Sequence, residues 1–155
     1  MASQELEFSF KCNIRSECGV FVDLAEGGGQ DPPVIGYQND TWETNPNQIW
    51  EIYKVPGGGD QIVIKNSGTA DALISDGHDR NVRAEQADPN DDAARWHLEG
   101  ADINEVGDGT AVGLRNVKHS GCYLDLKGSD EKNGTPFITY EGNGGKNQFF
   151  KLWRR

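Results

Sequence analysis

The sequence predicts an all-β protein in which one unit of about four strands occurs three times. Three segments share a pattern in which an aromatic residue precedes an aliphatic residue by two positions. These segments are Gln48-Ile49-Trp50-Glu51-Ile52, Ala94-Arg95-Trp96-His97-Leu98 and Gln148-Phe149-Phe150-Lys151-Leu152. Alternation with a period of two is typical of a strand with one buried face. The segments begin at residues 48, 94 and 148, which lie 46 and 54 residues apart, and this near-equal spacing indicates an internal repeat.

Shorter runs fill in the rest of each unit. Residues 19–24 and 121–126 are both a glycine followed by an apolar run with aspartate in the fifth position, and residues 33–37 match 136–140. Clusters of Gly, Asn, Asp and Pro separate these runs, as expected between short strands. Four runs in each of three units predict twelve strands. We place the repeats at about residues 8–53, 54–99 and 100–155 of one domain.

Composition excludes several classes of protein. The chain has 155 residues and a formal charge of −10, whereas nucleic acid and anionic membrane surfaces require a basic footprint. No helical periodicity persists over three turns, and no apolar run approaches 18 residues, so we expect no membrane insertion. Residues 1–7 lack the pattern of a secretory signal, which predicts a cytoplasmic protein. The odd count of Cys12, Cys18 and Cys122 favours reduced thiols, although Cys12 and Cys18 could pair in an oxidising environment.

The combined motifs resemble those of the ricin B-type β-trefoil lectins. The resemblance rests on an aliphatic-Asp-aliphatic strand, a later aromatic residue and a final Asn-Gln-x-aromatic segment, and it runs from about Phe10 to Leu152. It implies a β-trefoil, in which six strands form a short barrel and six form hairpins that cap one end. The barrel core would hold equivalent residues from each repeat: Trp50, Trp96 and Phe150, with Ile52, Leu98 and Leu152.

The resemblance also implies one shallow sugar site per repeat, with no cofactor or metal. In repeat one the family's positions fall on Asp23, Tyr37, Asn47 and Gln48. In repeat three they fall on Asp125, Tyr140, Asn147 and Gln148. The aromatic residue follows the aspartate by 14 and 15 residues, and the asparagine follows it by 24 and 22. The longer interval in repeat one, together with Asp40, makes that site less like the family's, and we expect it to be the weaker one.

Sugar chemistry explains why these residue types belong together. A carboxylate accepts two hydroxyl hydrogens at once, and charged acceptors form stronger hydrogen bonds than neutral ones. An amide both donates and accepts, while a tyrosine ring packs against the C–H face of a pyranose. The resemblance implies galactose or N-acetylgalactosamine, whose axial 4-hydroxyl reaches the aspartate together with the 3-hydroxyl.

The second repeat lacks the polar residues. Its aspartate position falls near Leu73-Ile74-Ser75, its aromatic position on Glu85, and Ala94-Arg95 replaces Asn-Gln, whereas Trp96 and Leu98 remain. An aspartate at a strand end can be a simple turn residue, and a tyrosine can be packing. The same polar set in two repeats and its absence from a third favours binding over either structural role. We therefore expect no site in repeat two.

Other constellations are weaker. A calcium-loop pattern has Ala93 where the sharp turn requires glycine, and its would-be ligands are Asp88, Asn90, Asp92 and Glu99. The chain has three histidines, His78, His97 and His119, and their spacing does not match a metal site. The alternation around His97 directs that side chain to solvent. His119, Ser120 and Cys122 do not form a nucleophile motif, because adjacent strand residues face opposite sides.

The sequence thus predicts a non-catalytic lectin with two sites for galactose-type glycans. The resemblance extends to intracellular fungal lectins, which in this family often act as agglutinins in defence. A homodimer is left open. The alternative is a protein-interaction module, such as a protease inhibitor that acts through loop 25–33 or loop 127–135.

Overall fold

The computed structural model describes residues 5–29, 31–38, 44–107 and 109–155. Within these ranges the chain forms short strands and five single-turn 3₁₀ helices, and no described residue is α-helical. The strands are β1 (Glu7–Ser16), β2 (Phe21–Leu24), β3 (Val34–Tyr37), β4 (Trp50–Lys54), β5 (Gln61–Asn66), β6 (Ala72–Ile74), β7 (Arg80–Asn81), β8 (Arg83–Glu85), β9 (Trp96–Glu99), β10 (Ala111–Asn116), β11 (Cys122–Leu126), β12 (Phe137–Glu141) and β13 (Phe150–Arg154).

Six of these strands close into a barrel. Antiparallel pairing runs from β1 to β4, β5, β9, β10 and β13, and β13 pairs back with β1. Each repeat contributes its first and last strand to this ring. Closure gives every barrel strand two neighbours, so no barrel edge is left to pair with another chain.

The other strands form three hairpins, one per repeat. They are β2–β3, β6–β8 and β11–β12, and each joins the barrel through one pair: Arg15–Phe21, Lys65–Ala72 and Arg115–Tyr123. This confirms the predicted β-trefoil of six barrel and six hairpin strands. The short strand β7 is an addition that the sequence did not predict. It belongs to a segment that runs beside β12, where the Asp79 and Val82 amides donate to the carbonyls of Thr139 and Phe137.

The predicted aromatic residues occupy the core. Trp50, Trp96 and Phe150 are fully buried, and their aliphatic partners Ile52, Leu98 and Leu152 are at most 3% exposed. Both tryptophans also bond to the hairpin of their own repeat. Trp50 Nε1 donates to the carbonyl of Val22 at 2.9 Å, and Trp96 Nε1 donates to that of Leu73 at 3.2 Å.

Strand register identifies equivalent positions in the three repeats. In the hairpins Asp23 pairs with Ile35, Ile74 with Arg83 and Asp125 with Ile138, so Ile74 stands at the aspartate position of repeat two. Glu85, which follows Arg83 by two residues, stands at the tyrosine position of repeat two, as predicted.

The 3₁₀ turn before the core aromatic residue corrects one detail of the sequence alignment. The turns Pro46–Gln48, Asp92–Ala94 and Lys146–Gln148 each end two residues before that aromatic residue. Asn-Gln is therefore replaced by Ala93-Ala94, and the prediction of Ala94-Arg95 was wrong by one residue. The repeat boundaries themselves stay predictions.

The three cysteines, Cys12, Cys18 and Cys122, are free and buried. Burial raises the pKa of the Cys12 thiol far above its usual value, which keeps this group protonated. Among the described residues, no helix is long and apolar enough to cross a bilayer.

Replacement of Trp96 by alanine should test the separation of scaffold from site. We expect Trp96→Ala to lower the free energy of unfolding by about 3–5 kcal/mol, because it leaves a large cavity in the barrel. Denaturant unfolding followed by circular dichroism measures this loss. Sugar affinity per folded molecule should remain unchanged.

The control is Phe8→Ala, because Phe8 is 55% exposed and its loss should cost less than about 1 kcal/mol. A Trp96→Ala protein with the stability of the parent and no sugar binding would contradict this assignment of Trp96 to the scaffold.

Candidate functional site

The carboxylate of Asp23 lies at the end of β2 and is fixed from behind by Gln48. Asp23 is only 5% exposed, and Gln48, which is fully buried, donates from Nε2 to Asp23 Oδ2 at 2.8 Å. The turn Pro46–Gln48 places this amide, since Asn45 caps the turn by accepting from the Asn47 amide. Within the described residues the bond from Gln48 goes to Asp23 Oδ2, and Oδ1 keeps its capacity to accept hydrogen bonds.

Asp23, Tyr37 and Asn47 line a common cleft of about 480 Å³. Tyr37 is 38% exposed, which leaves a ring face for a ligand. One wall comes from repeat three, because the amide of Gly134 donates to the carbonyl of Gly36 at 2.9 Å. The structure thus brings the predicted residues of repeat one together in an open cleft. Asp40 lies outside the described residues.

The Asp125 carboxylate is more fully engaged than that of Asp23. Gln148 Nε2 donates to Asp125 Oδ2 at 2.9 Å, and Asn147 Nδ2 donates to Asp125 Oδ1 at 3.0 Å. Gln148 is held in turn by the Asn143 amide, which donates to its Oε1. Asp125, Asn147 and Gln148 therefore form one network. A ligand hydroxyl would share the carboxylate with Asn147.

Tyr140, the predicted aromatic residue of repeat three, contacts a histidine from repeat two. The rings of Tyr140 and His78 are 4.3 Å apart between centroids and tilted by 44°. His78 Nδ1 accepts a hydrogen bond from the Glu141 amide at 3.2 Å. Sequence analysis missed His78, because only the path of the 76–82 loop brings it to this hairpin. His78 therefore packs against the predicted aromatic residue of repeat three.

Burial raises the pKa of both aspartates above the ordinary value. Hydrogen bonds from Gln48 to Asp23, and from Gln148 and Asn147 to Asp125, oppose this effect, while the nearby charge of Asp79 adds to it at Asp125. The ionised carboxylates are therefore partly desolvated acceptors. Such groups gain most from a ligand that supplies hydroxyl donors.

In repeat two an apolar cluster replaces the polar site. Ile74 occupies the aspartate position, and Ala93 and Ala94 occupy the Asn-Gln positions. All three residues are buried. They pack with neighbours in a small cluster separate from the barrel core: Val55, Val63, Ala72, Ile74, Ala93 and Ala94. Repeat two therefore keeps its core tryptophan but has aliphatic side chains at positions that are polar in the other two repeats.

The rejected constellations have structural roles among the described residues. Glu99 of the calcium-loop pattern bonds Arg115 and Tyr123, while Asp88 Oδ1 accepts from the amide of Asn90. No three His, Cys, Asp or Glu side chains in the described ranges come together as a metal site. His97 is partly exposed, and its Nδ1 is 2.6 Å from Asp60 Oδ1.

The two loops of the inhibitor alternative differ in their contacts. Loop 127–135 packs along the first hairpin, where the carbonyl of Thr135 accepts from the Gly36 amide and Asn133 Oδ1 accepts from the Gln38 amide. Loop 25–33 contributes Glu26 and Asp31 to the rim of the Asp23 cleft. Both loops therefore border a hairpin site.

Solved structures share this fold at low sequence identity. The agglutinin of Rhizoctonia solani has a TM-score of 0.74 and 22% identity, over 100% of this chain and 99% of that one. A Macrolepiota procera ricin B-like lectin in complex with lactose has a TM-score of 0.70 and 21% identity, over 100% and 99%. The C-half of an earthworm R-type lectin in complex with GalNAc has a TM-score of 0.68 and 22% identity, over 95% and 100%.

No curated protein matches the chain significantly by sequence. A family model does match it: the ricin-type beta-trefoil lectin domain-like family covers residues 46–140. The matched segment spans more than half of the chain, from the turn at Gln48 to the second strand of the last hairpin. The chain therefore belongs to the ricin-type β-trefoil lectin-like domain family.

Proposed function

We propose that this protein is a non-catalytic lectin that binds galactose-type glycans at two sites, around Asp23 and around Asp125. One observation carries the proposal. At equivalent places in two repeats, a buried glutamine fixes an aspartate carboxylate beside a tyrosine and an asparagine. Repeat two has isoleucine, glutamate and two alanines at these places, although its core is intact.

The carboxylates suit vicinal hydroxyls. Asp23 and Asn47 both line the cleft, and the amide of Asn47 can donate and accept. Tyr37 supplies an apolar face for the C–H groups of a pyranose. Structural neighbours crystallised with lactose or GalNAc support galactose-type sugars. Three buried free thiols support a reducing, cytoplasmic location.

The geometry favours bivalence without a dimer. The Asp23 and Asp125 sites lie on different hairpins of a threefold scaffold, so they face different directions. One molecule could then link two glycans, and such bridging raises avidity by about 100-fold on a dense surface. Agglutination would follow from this arrangement.

Isothermal titration calorimetry tests the sugar class. We expect galactose, N-acetylgalactosamine and lactose to bind with a Kd of about 0.1–1 mM, because the sites are shallow and polar. Methyl glucoside, in which the 4-hydroxyl is equatorial, should bind at least about tenfold more weakly, since it leaves a carboxylate bond unmade. A preference for glucosides would overturn the galactose assignment.

The number of sites should follow the two aspartates. We expect the parent to bind two sugars per chain, and Asp23→Asn and Asp125→Asn to bind one each, because asparagine keeps the shape but loses the charged acceptor. Both single variants should lose agglutination more steeply than free-sugar binding.

The matched control is Glu85→Gln, at the tyrosine position of repeat two, which should leave the stoichiometry at two. Saturation of the parent at one sugar per chain would contradict the two-site proposal.

The pH dependence should separate binding from folding. Affinity for lactose should fall as the pH is lowered through the raised pKa of Asp23 and Asp125, since protonation removes the charged acceptor. Stability should respond in the opposite sense. A folded pKa above the unfolded one contributes stability that is present below the unfolded pKa and lost as the pH rises through the folded pKa.

Calorimetry across pH measures the affinity. The free energy of unfolding of the parent minus that of Asp23→Asn isolates the carboxylate of Asp23. This difference should become less favourable to the parent as the pH rises. The interpretation is wrong if the parent gains stability over Asp23→Asn in that range.

A further inference from the structure

A second cleft on the flank of the barrel arises where repeat two departs from the other two repeats. Three residues after the core aromatic residue, the repeats place Trp153, Tyr53 and Glu99. In repeats one and three this residue is aromatic, and a cation from the neighbouring barrel strand lies over its ring. Arg15 is 5.2 Å from the Trp153 ring centroid, and Lys65 Nζ is 4.9 Å from that of Tyr53.

Repeat two has no ring at this place. Glu99 instead accepts from Arg115 Nε and from the Tyr123 hydroxyl, both at 2.6 Å. Arg115 is the register equivalent of Arg15 and Lys65. The cleft left beside this cluster measures about 480 Å³, and we call it the flank cleft. Its volume lies in the range of small-molecule sites.

Glycines shape the walls of the flank cleft. The ring of Tyr123 lies between Gly113 and Gly142. A Cβ on Gly142 would lie 2.7 Å from Tyr123 Cε1, and one on Gly113 would lie 3.3 Å from Tyr123 Cε2. A side chain at Gly142 would therefore displace the tyrosine. The position of Tyr123 depends on the absence of side chains on both neighbours.

The polar groups of the flank cleft retain unused hydrogen-bonding capacity. Each oxygen of Glu99 accepts one hydrogen bond and can accept another. Arg115 carries five N–H donors, of which Nε bonds Glu99 and one on Nη1 bonds the Ser120 carbonyl, and the guanidinium also interacts with the Tyr123 hydroxyl. Phe149, at the rim, is 37% exposed and offers an apolar face.

This combination restricts the class of ligand. Glu99 and Arg115 form an ion pair, so each charge is already compensated by the other and the pair does not require an ionic ligand. A purely apolar ring would cover both charged groups without bonding them, which is costly. A neutral ring with vicinal hydroxyls satisfies the carboxylate and the guanidinium and still packs against Phe149.

We propose that the flank cleft is a third carbohydrate site, which binds a neutral pyranose through Glu99, Arg115 and Tyr123 where the other repeats carry an aromatic side chain. The inference rests on the flank cleft alone. It stands whether or not the Asp23 and Asp125 sites bind galactose.

Backbone amide NMR with isotope-labelled protein tests this directly. The probes are galactose, glucose, mannose and N-acetylglucosamine, each added singly. We expect at least one to shift the amide signals of Gly113, Gly121, Gly142 and Gly144 with a common saturable Kd of about 1–10 mM. The Asp23→Asn, Asp125→Asn double variant should show the same shifts.

Two variants and a control locate the binding. Gly121 lines the flank cleft, has open space around it and no positive φ, so Gly121→Trp should obstruct the cleft without strain. Gly109 has the same freedom and lies outside the cleft, which makes Gly109→Trp the control. We expect Gly121→Trp and Glu99→Gln each to weaken the sugar response at least about tenfold, and Gly109→Trp to preserve it.

The proposal fails if none of the four sugars shifts the cleft glycines at concentrations up to about 50 mM. It also fails if the response survives in both Gly121→Trp and Glu99→Gln. Shifts with indole but with no sugar would show a site for aromatic side chains, and shifts with inorganic phosphate alone would show an anion site. Either result would overturn the assignment.

Discussion

The hydrogen bond from a core tryptophan to the hairpin above it ties the two halves of this fold together. Trp50 in the barrel donates to Val22, and Trp96 donates to Leu73. Each acceptor immediately precedes the aspartate position of its repeat. Packing in the barrel therefore fixes the position of the hairpin relative to the barrel. In repeat three Phe150 has no such donor, and its ring instead contacts Phe137 of the hairpin, with 5.9 Å between centroids.

A buried glutamine extends this link from the core to the surface. Gln48 and Gln148 lie two residues before a core aromatic residue, at the end of a 3₁₀ turn. From there each amide reaches an aspartate that burial would otherwise disfavour as a charged group. One short segment thus carries a core anchor and the group that supports a buried carboxylate. This explains why the motif appears in the sequence as a compact unit.

Local patterns in the sequence were enough to predict the barrel, the hairpins and the two polar sets. These patterns depend on the spacing of residues within one repeat, as Trp96 and Asp125 illustrate. Contacts between repeats were not accessible in this way. His78 reaches Tyr140 from another repeat, and the flank cleft exists because Glu99 lacks the ring that Trp153 and Tyr53 provide. Such features depend on strand register, and the sequence alignment was wrong by one residue at Ala94-Arg95.

The apolar cluster of repeat two bears on how this protein could evolve. An aspartate introduced at Ile74 alone would be surrounded by Ala93 and Ala94, with no amide to hold its charge, and the fold would lose stability before any site existed. Glutamine at Ala94 alone would likewise bury an unpaired amide. A polar set in repeat two therefore needs at least two coordinated substitutions. No single substitution can therefore give repeat two the polar set of the other repeats, and this barrier preserves the asymmetry of the molecule against one-step change.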